Sequence, residues 1–99
     1  MGMIKLDSSF AKKIGFTSDK FEGYLWRDEK VITISVIISL QEGQGHLREL
    51  IERIEEKGYH ILVPTPMPAM MILLKRWGFT SRFQDGMFGP VNIWEAPKK

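Results

Sequence analysis

The chain contains no cysteine. That excludes a disulfide framework, a thiolate zinc site and a cysteine nucleophile, and it fits a reducing compartment. Histidine is almost as scarce. His46 and His60 are the only two, with no third ligand in view, so no metal site is expected. No apolar run approaches the roughly 18–20 residues of a membrane helix. The start, MGMIKLDSSF, carries Lys5 and Asp7 where a signal peptide would be apolar. A cytoplasmic protein with no membrane partner is therefore expected. An excess of one charge sign is also missing. Fourteen basic and 12 acidic residues leave a net charge of +2, mixed along the chain rather than clustered, which argues against a nucleic-acid partner.

What is present is enough for one core. The 99 residues are 43% hydrophobic and 11% aromatic, and no linker, charge block or low-complexity tract divides them. A single domain over 1–99 is expected. Asp7 to Gly15 reads as a short helix capped by Asp7 or Ser8, with Lys12 and Lys13 at its end and Gly15 as its stop. FEGYLWR reads as a strand, and Arg27 to Lys30 as a hairpin break. VITISVIISL, Val31 to Leu40, is the strongest strand. Eight of its ten residues are Val, Ile, Thr or Leu, which predicts burial on both faces. Strict alternation puts Ser35 and Ser39 on one face with Val31, Thr33 and Ile37.

A helix follows the QEGQGH turn. Leu47, Leu50, Ile51 and Ile54 fall at i, i+3, i+4 and i+7 and make one apolar stripe. Gly58 ends it, and YHILVP reads as a second strand. A strand, a helix and a strand of these lengths predict a parallel pair with a right-handed crossover. After Pro64 and Pro66, Pro68 opens the helix MPAMMILLKRW, which is apolar almost all round and so is expected to be deeply buried or to meet a partner or ligand. The tail reads as two strands, with Asp85-Gly86 as the hairpin signal. KKIGFTS at Lys12 to Ser18 resembles KRWGFTS at Lys75 to Ser81; shared helix-stop chemistry and an internal duplication both explain it.

The glycine-rich turn between a strand and a helix carries the chemistry. Gly43 and Gly45 allow a tight turn and close approach of a ligand. The first turn of the helix offers unpaired N–H groups backed by the macrodipole, a geometry that holds phosphate without a charged side chain. The turn has neither the third glycine of a dinucleotide fingerprint nor the Gly-Lys-Ser/Thr of a P-loop.

The order of hairpin, glycine-rich turn, amphipathic helix, strand, proline-broken loop and helix ending in Trp77-Gly78-Phe79 resembles the GNAT acetyltransferase family from about Tyr24 to Glu95. The family's signature at the turn is Gln or Arg, two residues, Gly, one residue, then Gly or Ala. Aligned on the helix stripe, the motif here is Glu42-Gly43-Gln44-Gly45-His46-Leu47, with Gly45 as the key glycine. An alternative register begins at Gln41 and puts Gln44 in the glycine's place. The stripe favours the first, because rotating a buried stripe is costly. The resemblance implies an α/β (α+β) fold, in the order α-β-β-α-β-α-β-β, with a mixed, largely antiparallel sheet and splayed central parallel strands.

It also implies acyl transfer from acetyl-CoA by direct attack of an amine, on a small molecule or a protein. The backbone of Glu42, Gly43, Gln44, Gly45, His46 and Leu47 would hold the pyrophosphate. Ile38, Ser39 and Leu40 would pair with the pantetheine and polarise the thioester carbonyl through an N–H, and Leu62 to Thr65 would form the other wall. Leu74 stands where the family carries a tyrosine acid, and Met67 where it often carries an asparagine. About twenty residues precede FEGYLWR, fewer than the family usually has, so the acceptor half is expected to be abbreviated. These departures also fit a second reading, a degenerate GNAT scaffold that binds a protein partner or CoA without turnover.

Other candidates have ordinary structural explanations beside the chemical ones. His46 suits a phosphate contact or a proton shuttle, and His60 a base. Ser35 and Ser39 suit the acetyl slot. Glu22, Asp28 and Glu29 suit a cationic amine, and Met67, Met70 and Met71 the pantetheine arm. Tyr24, Trp26, Phe83, Phe88 and Trp94 are many aromatics for so short a chain, and a homodimer face is expected to use some of them. No catalytic acid or base can be named.

Overall fold

A computed structural model describes residues 2–40, 44–87 and 89–97. The elements are β1 (Gly2–Lys5), α1 (Ser9–Ile14), β2 (Phe21–Asp28), β3 (Val31–Ser39), α2 (His46–Glu56), β4 (His60–Pro64), α3 (Pro68–Arg76), β5 (Thr80–Gly86) and β6 (Gly89–Glu95). The chain is mixed α/β. Its contacts divide it into two units, Met1–Ile61 and Leu62–Lys99, and it passes from one to the other within β4.

The first unit holds an antiparallel sheet in the order β1-β2-β3, with Ile4 opposite Leu25 and Leu25 opposite Ile34. β1 is an addition to the expected order. It is four residues long and buries only Ile4, too short for its alternation to stand out. α2 packs against β3, and α1 packs against β1 and α2. The α2 stripe behaves as its spacing requires: Leu50, Ile51 and Ile54 are buried and Leu47 is half-buried. Burying three such aliphatic side chains stabilises the unit by about 1.5–3 kcal/mol each. They share the core with Phe21, Leu25, Ile32 and Ile34. The His60 N–H donates to Lys30 O at 2.8 Å, so β4 starts beside the start of β3, as a parallel crossover through α2 requires.

Two expectations about β3 need correction. The ladder with β2 runs Leu25 to Ile34 and then Tyr24 to Val36, leaving Ser35 without a partner. Two residues opposing one is a β-bulge, and it reverses the alternation beyond it. Ser39 therefore lies opposite Phe21 on the core face, and Ile37 opposite Gly23 on that same face. Neither shares a face with Thr33. The strand is also not buried on both faces. Ile32 and Ile34 are buried, but Ile38 is 53% exposed and lies opposite the exposed Glu22. β-branched composition reports strand propensity, and the bulge decides which side each residue takes.

In the second unit β6 lies between β4 and β5 and is antiparallel to both. Its buried hydrophobics are Val63, Leu74, Phe79 and Ala96. α3 departs from the expectation of deep burial. Leu74 is its one buried residue, while Met67 at the N-cap and Ile72 are 75% and 64% exposed. Composition made the helix apolar, but one side of it meets solvent. The final hairpin forms two residues later than expected. Asp85 and Gly86 belong to β5, and Met87 follows them in a turn. Gly86 sits in the last ladder pair because a methyl group there would lie 2.9 Å from Gly89 O.

All three helices stop in the same way. Phe16 N–H donates to Ala11 O (2.8 Å), Tyr59 N–H to Ile54 O (3.4 Å) and Phe79 N–H to Leu74 O (2.9 Å). Each is a six-to-one closure around a glycine in the left-handed region, with φ of 82°, 87° and 85°. Lys12, Lys13, Lys75 and Arg76 complement the dipole at two of these ends.

At the start of α1, Ser8 is the cap and accepts from Ala11 N–H. Asp7, the other candidate, has φ 62° and accepts from Ser18 N–H at 3.0 Å. Hydrogen bonds from Ser18, the side chain first and then the backbone, hold the Asp7 carboxyl below its ordinary value, and the Lys12 charge adds to this. The unfolded chain therefore binds that proton more readily than the native one. The contribution is fully present above the unfolded pKa and is lost as pH falls through the lower native one. In urea melts between about pH 2 and 5, the stability advantage of wild type over Asp7→Asn should shrink steadily toward acid. A gap constant across that window would show that the Ser18 contacts do not favour the ionised form.

Candidate functional site

The expected phosphate site lies wholly in the first unit, from the end of β3 to the first turn of α2. Gln41, Glu42 and Gly43 fall outside the described residues. On the β3 side, Ile38 and Leu40 are 53% and 46% exposed. Leu40 N–H is already donated to Lys20 O at 2.8 Å, so it is not free for a thioester carbonyl. Ser39 points to the core face, and the bulge moves Ser35 away from it. The two serines therefore do not line one slot.

On the α2 side, Gly45 is the N-cap, with φ 75° and no side-chain cap. Its carbonyl accepts Glu49 N–H at 3.0 Å and opens the helix. The amides of His46 and Leu47 belong to the first turn, where no intrahelical acceptor exists. A methyl group on Gly45 would meet no atom within 4 Å, and Gln44 and Gly45 are exposed. The glycine is thus required by its left-handed backbone, and among the described residues nothing fills the space beside it. His46 adds a polar atom to this end: its Nδ1 is buried without a hydrogen-bond partner. Glu49, in the same turn, is held by Arg53 at 2.8 Å.

The remaining candidates do not converge on this end. Glu22, Asp28 and Glu29 are exposed along the β2–β3 hairpin, and Tyr24 and Trp26 lie on the sheet face opposite Leu25. His60 opens β4 beside Lys30. An open hollow of about 500 Å³ runs along the charged side of α2, lined by Lys13, Glu49, Glu52, Arg53, Glu56 and Lys57. It contains none of the candidates. Among the described residues no cluster of acids and histidines could hold a metal ion.

In the second unit, Phe83 is exposed, Trp94 is half-buried, and Phe88 lies outside the described residues. Two polar groups there carry no signal in the sequence. Among the described residues Asn92 Oδ1 and Trp94 Nε1 are both buried without a partner, two residues apart and so on one face of β6. Thr65, in the expected second wall, has φ 44°, rare for a β-branched residue and rarer before a proline. Its N–H donates to Asn92 O at 2.7 Å, which holds the strained turn in place.

No family model, no curated protein and no solved structure matches the chain.

Two outcomes follow from this geometry. Thr65→Asn, which tolerates a left-handed backbone, should raise stability to chemical denaturation by about 1 kcal/mol; a loss would mean that the Thr65 side chain holds the loop. Leu74→Tyr places a phenol at a fully buried position. It should lower stability by about 1–3 kcal/mol through overpacking. An unchanged denaturation midpoint would show that this part of α3 has room for a ring.

Proposed function

We propose that the chain binds the pyrophosphate of acetyl-CoA at the start of α2 and transfers the acetyl group to an amine. The observation that carries this reading is the uncapped, open N-terminus of α2 behind a glycine at φ 75°. Such an end presents several amides and the positive end of the helix dipole to one anion. The residues present fit that group. The amides of Gly45, His46 and Leu47 would face its phosphates. The exposed side chains of Ile38 and Leu40 offer an apolar surface to the pantetheine.

Acetyl-CoA supplies an acyl group on a good leaving thiolate. The amine nitrogen bonds to the carbonyl carbon, the carbon–sulfur bond breaks, the amine loses a proton and the thiolate gains one. With Leu40 N–H engaged, a donor to the carbonyl oxygen has to come from elsewhere on β3. The interrupted ladder at Ser35 is the natural place to look, since bulges re-aim backbone and side-chain groups. The GNAT arrangement of the strands, with splayed parallel β3 and β4, belongs to this same proposal.

A second reading has its own observation. Leu74, at the family's acid position, is fully buried hydrocarbon. That favours a scaffold that holds CoA or a protein partner without turnover.

Gly45→Asp separates the phosphate site from the fold. Aspartate is among the side chains least disfavoured in the left-handed region, so the variant should still fold, with a modest loss of stability. Its carboxylate would put a negative charge at the helix start, where the phosphate would have to sit. In calorimetric titrations acetyl-CoA should bind wild type and lose at least about tenfold in affinity for the variant. No heat with wild type, or equal affinity for both proteins, overturns the site. Binding to wild type without thiol release on any of a panel of amines selects the scaffold reading.

A further inference from the structure

β5 is the last strand in the sheet order, so one row of its backbone groups faces outward. Native edges are usually blunted by shortness, a proline, a lysine or a bulge. β5 has no proline, lysine or bulge and is not short; its only charges, Arg82 and Asp85, are of opposite sign. It runs seven residues, TSRFQDG, in unbroken register with β6. All seven are exposed, Phe83 at 73%.

We infer that β5 pairs antiparallel with β5 of a second copy of this chain, with Phe83 opposite Phe83 across a two-fold axis. The strand's own sequence selects that register. Residues directly opposite each other in an antiparallel pair share a face and interact most strongly. Centring on Phe83 puts the two rings together, sets Ser81 against Asp85 and sets Arg82 against Gln84. These three pairs are complementary, and the outermost, Thr80 against Gly86, is neutral. Arg82 already makes such a contact within its own chain, to Gln84 Oε1 at 3.2 Å.

Registers displaced by one residue about the axis do worse. Centring on Arg82 sets two guanidinium groups against each other. Centring on Gln84 sets Phe83 against the Asp85 carboxylate. Continuing the sheet through this edge satisfies the outward backbone row and covers Phe83, an exposed ring of the second unit. The inference does not depend on the acyl-transfer reading, because no residue between Ile38 and Leu47 takes part.

The absence of cysteine makes the register directly measurable. Opposed Cα atoms in an antiparallel pair lie about 4.5–5.5 Å apart, within the span a disulfide bridges. Sedimentation of the full chain should show a dimer. Under mild oxidation Phe83→Cys should link two chains nearly completely and reversibly, and Gln84→Cys several-fold more slowly. Phe83→Lys and Phe83→Glu should each be monomeric with an unchanged circular dichroism spectrum, and an equimolar mixture of the two should restore the dimer. Wild type that sediments as a monomer at every concentration overturns the inference. So does a dimer in which the two cysteine variants cross-link equally, or one that survives both charge substitutions, since association would then use another surface.

Discussion

Everything in the first unit follows from which side of the β2–β3 hairpin is buried. A strand alternates its side chains, so one extra residue exchanges the faces of every residue beyond it. Ser35 is that residue. Before it, Ile32 and Ile34 point into the core with Leu25; after it, Ile37 and Ser39 take that side. Without the bulge Ile38 would continue the row of Ile32 and Ile34 into the core. With it, Ile38 stands outside, near the end of the strand that leads to the α2 turn. The shift that keeps Phe21 buried opposite a serine is the same shift that leaves aliphatic surface beside the candidate site.

The parts of this arrangement that were legible in the sequence are those set by neighbours along the chain. The α2 stripe was readable because Leu50, Ile51 and Ile54 meet one face at helical spacing. The helix ends were readable because Gly15, Gly58 and Gly78 occupy positions that side chains disfavour. The bulge was not readable, because it is a property of two strands: nothing in VITISVIISL says that Tyr24 will face Val36 rather than Ser35. Which of the two expectations for α3 holds, deep burial or a face left for a partner, was not readable for a related reason. Met67, Met70, Met71 and Ile72 make it apolar, but which side is covered depends on what packs there. Of the site, the Gly45 turn and the open helix start were legible from glycine and helix physics. The engagement of Leu40 N–H by Lys20 is a long-range pairing and was not.

The two units hold different amounts of core. The first buries twelve hydrophobic side chains, from Ile4 to Ile61, and the second four. A unit with so little buried surface is expected to lean on its ladders or on association. The strand pairing of β5 and β6 is long and regular, which suits that role. The apolar groups left outside, Ile72 and Phe83 among them, are then surface still to be used rather than errors of patterning.

The common helix closure bears on how likeness within a chain is interpreted. KKIGFTS and KRWGFTS share five of seven letters and the same bond, which invites a history of duplication. EKGYHIL makes that bond a third time with almost no shared spelling, around Gly58 and Tyr59. The three segments also lead to different destinations: a turn before β2, the start of β4 and the start of β5. What they have in common is a solution to ending a helix, which unrelated segments reach independently. Descent leaves no mark here that convergence would not also leave.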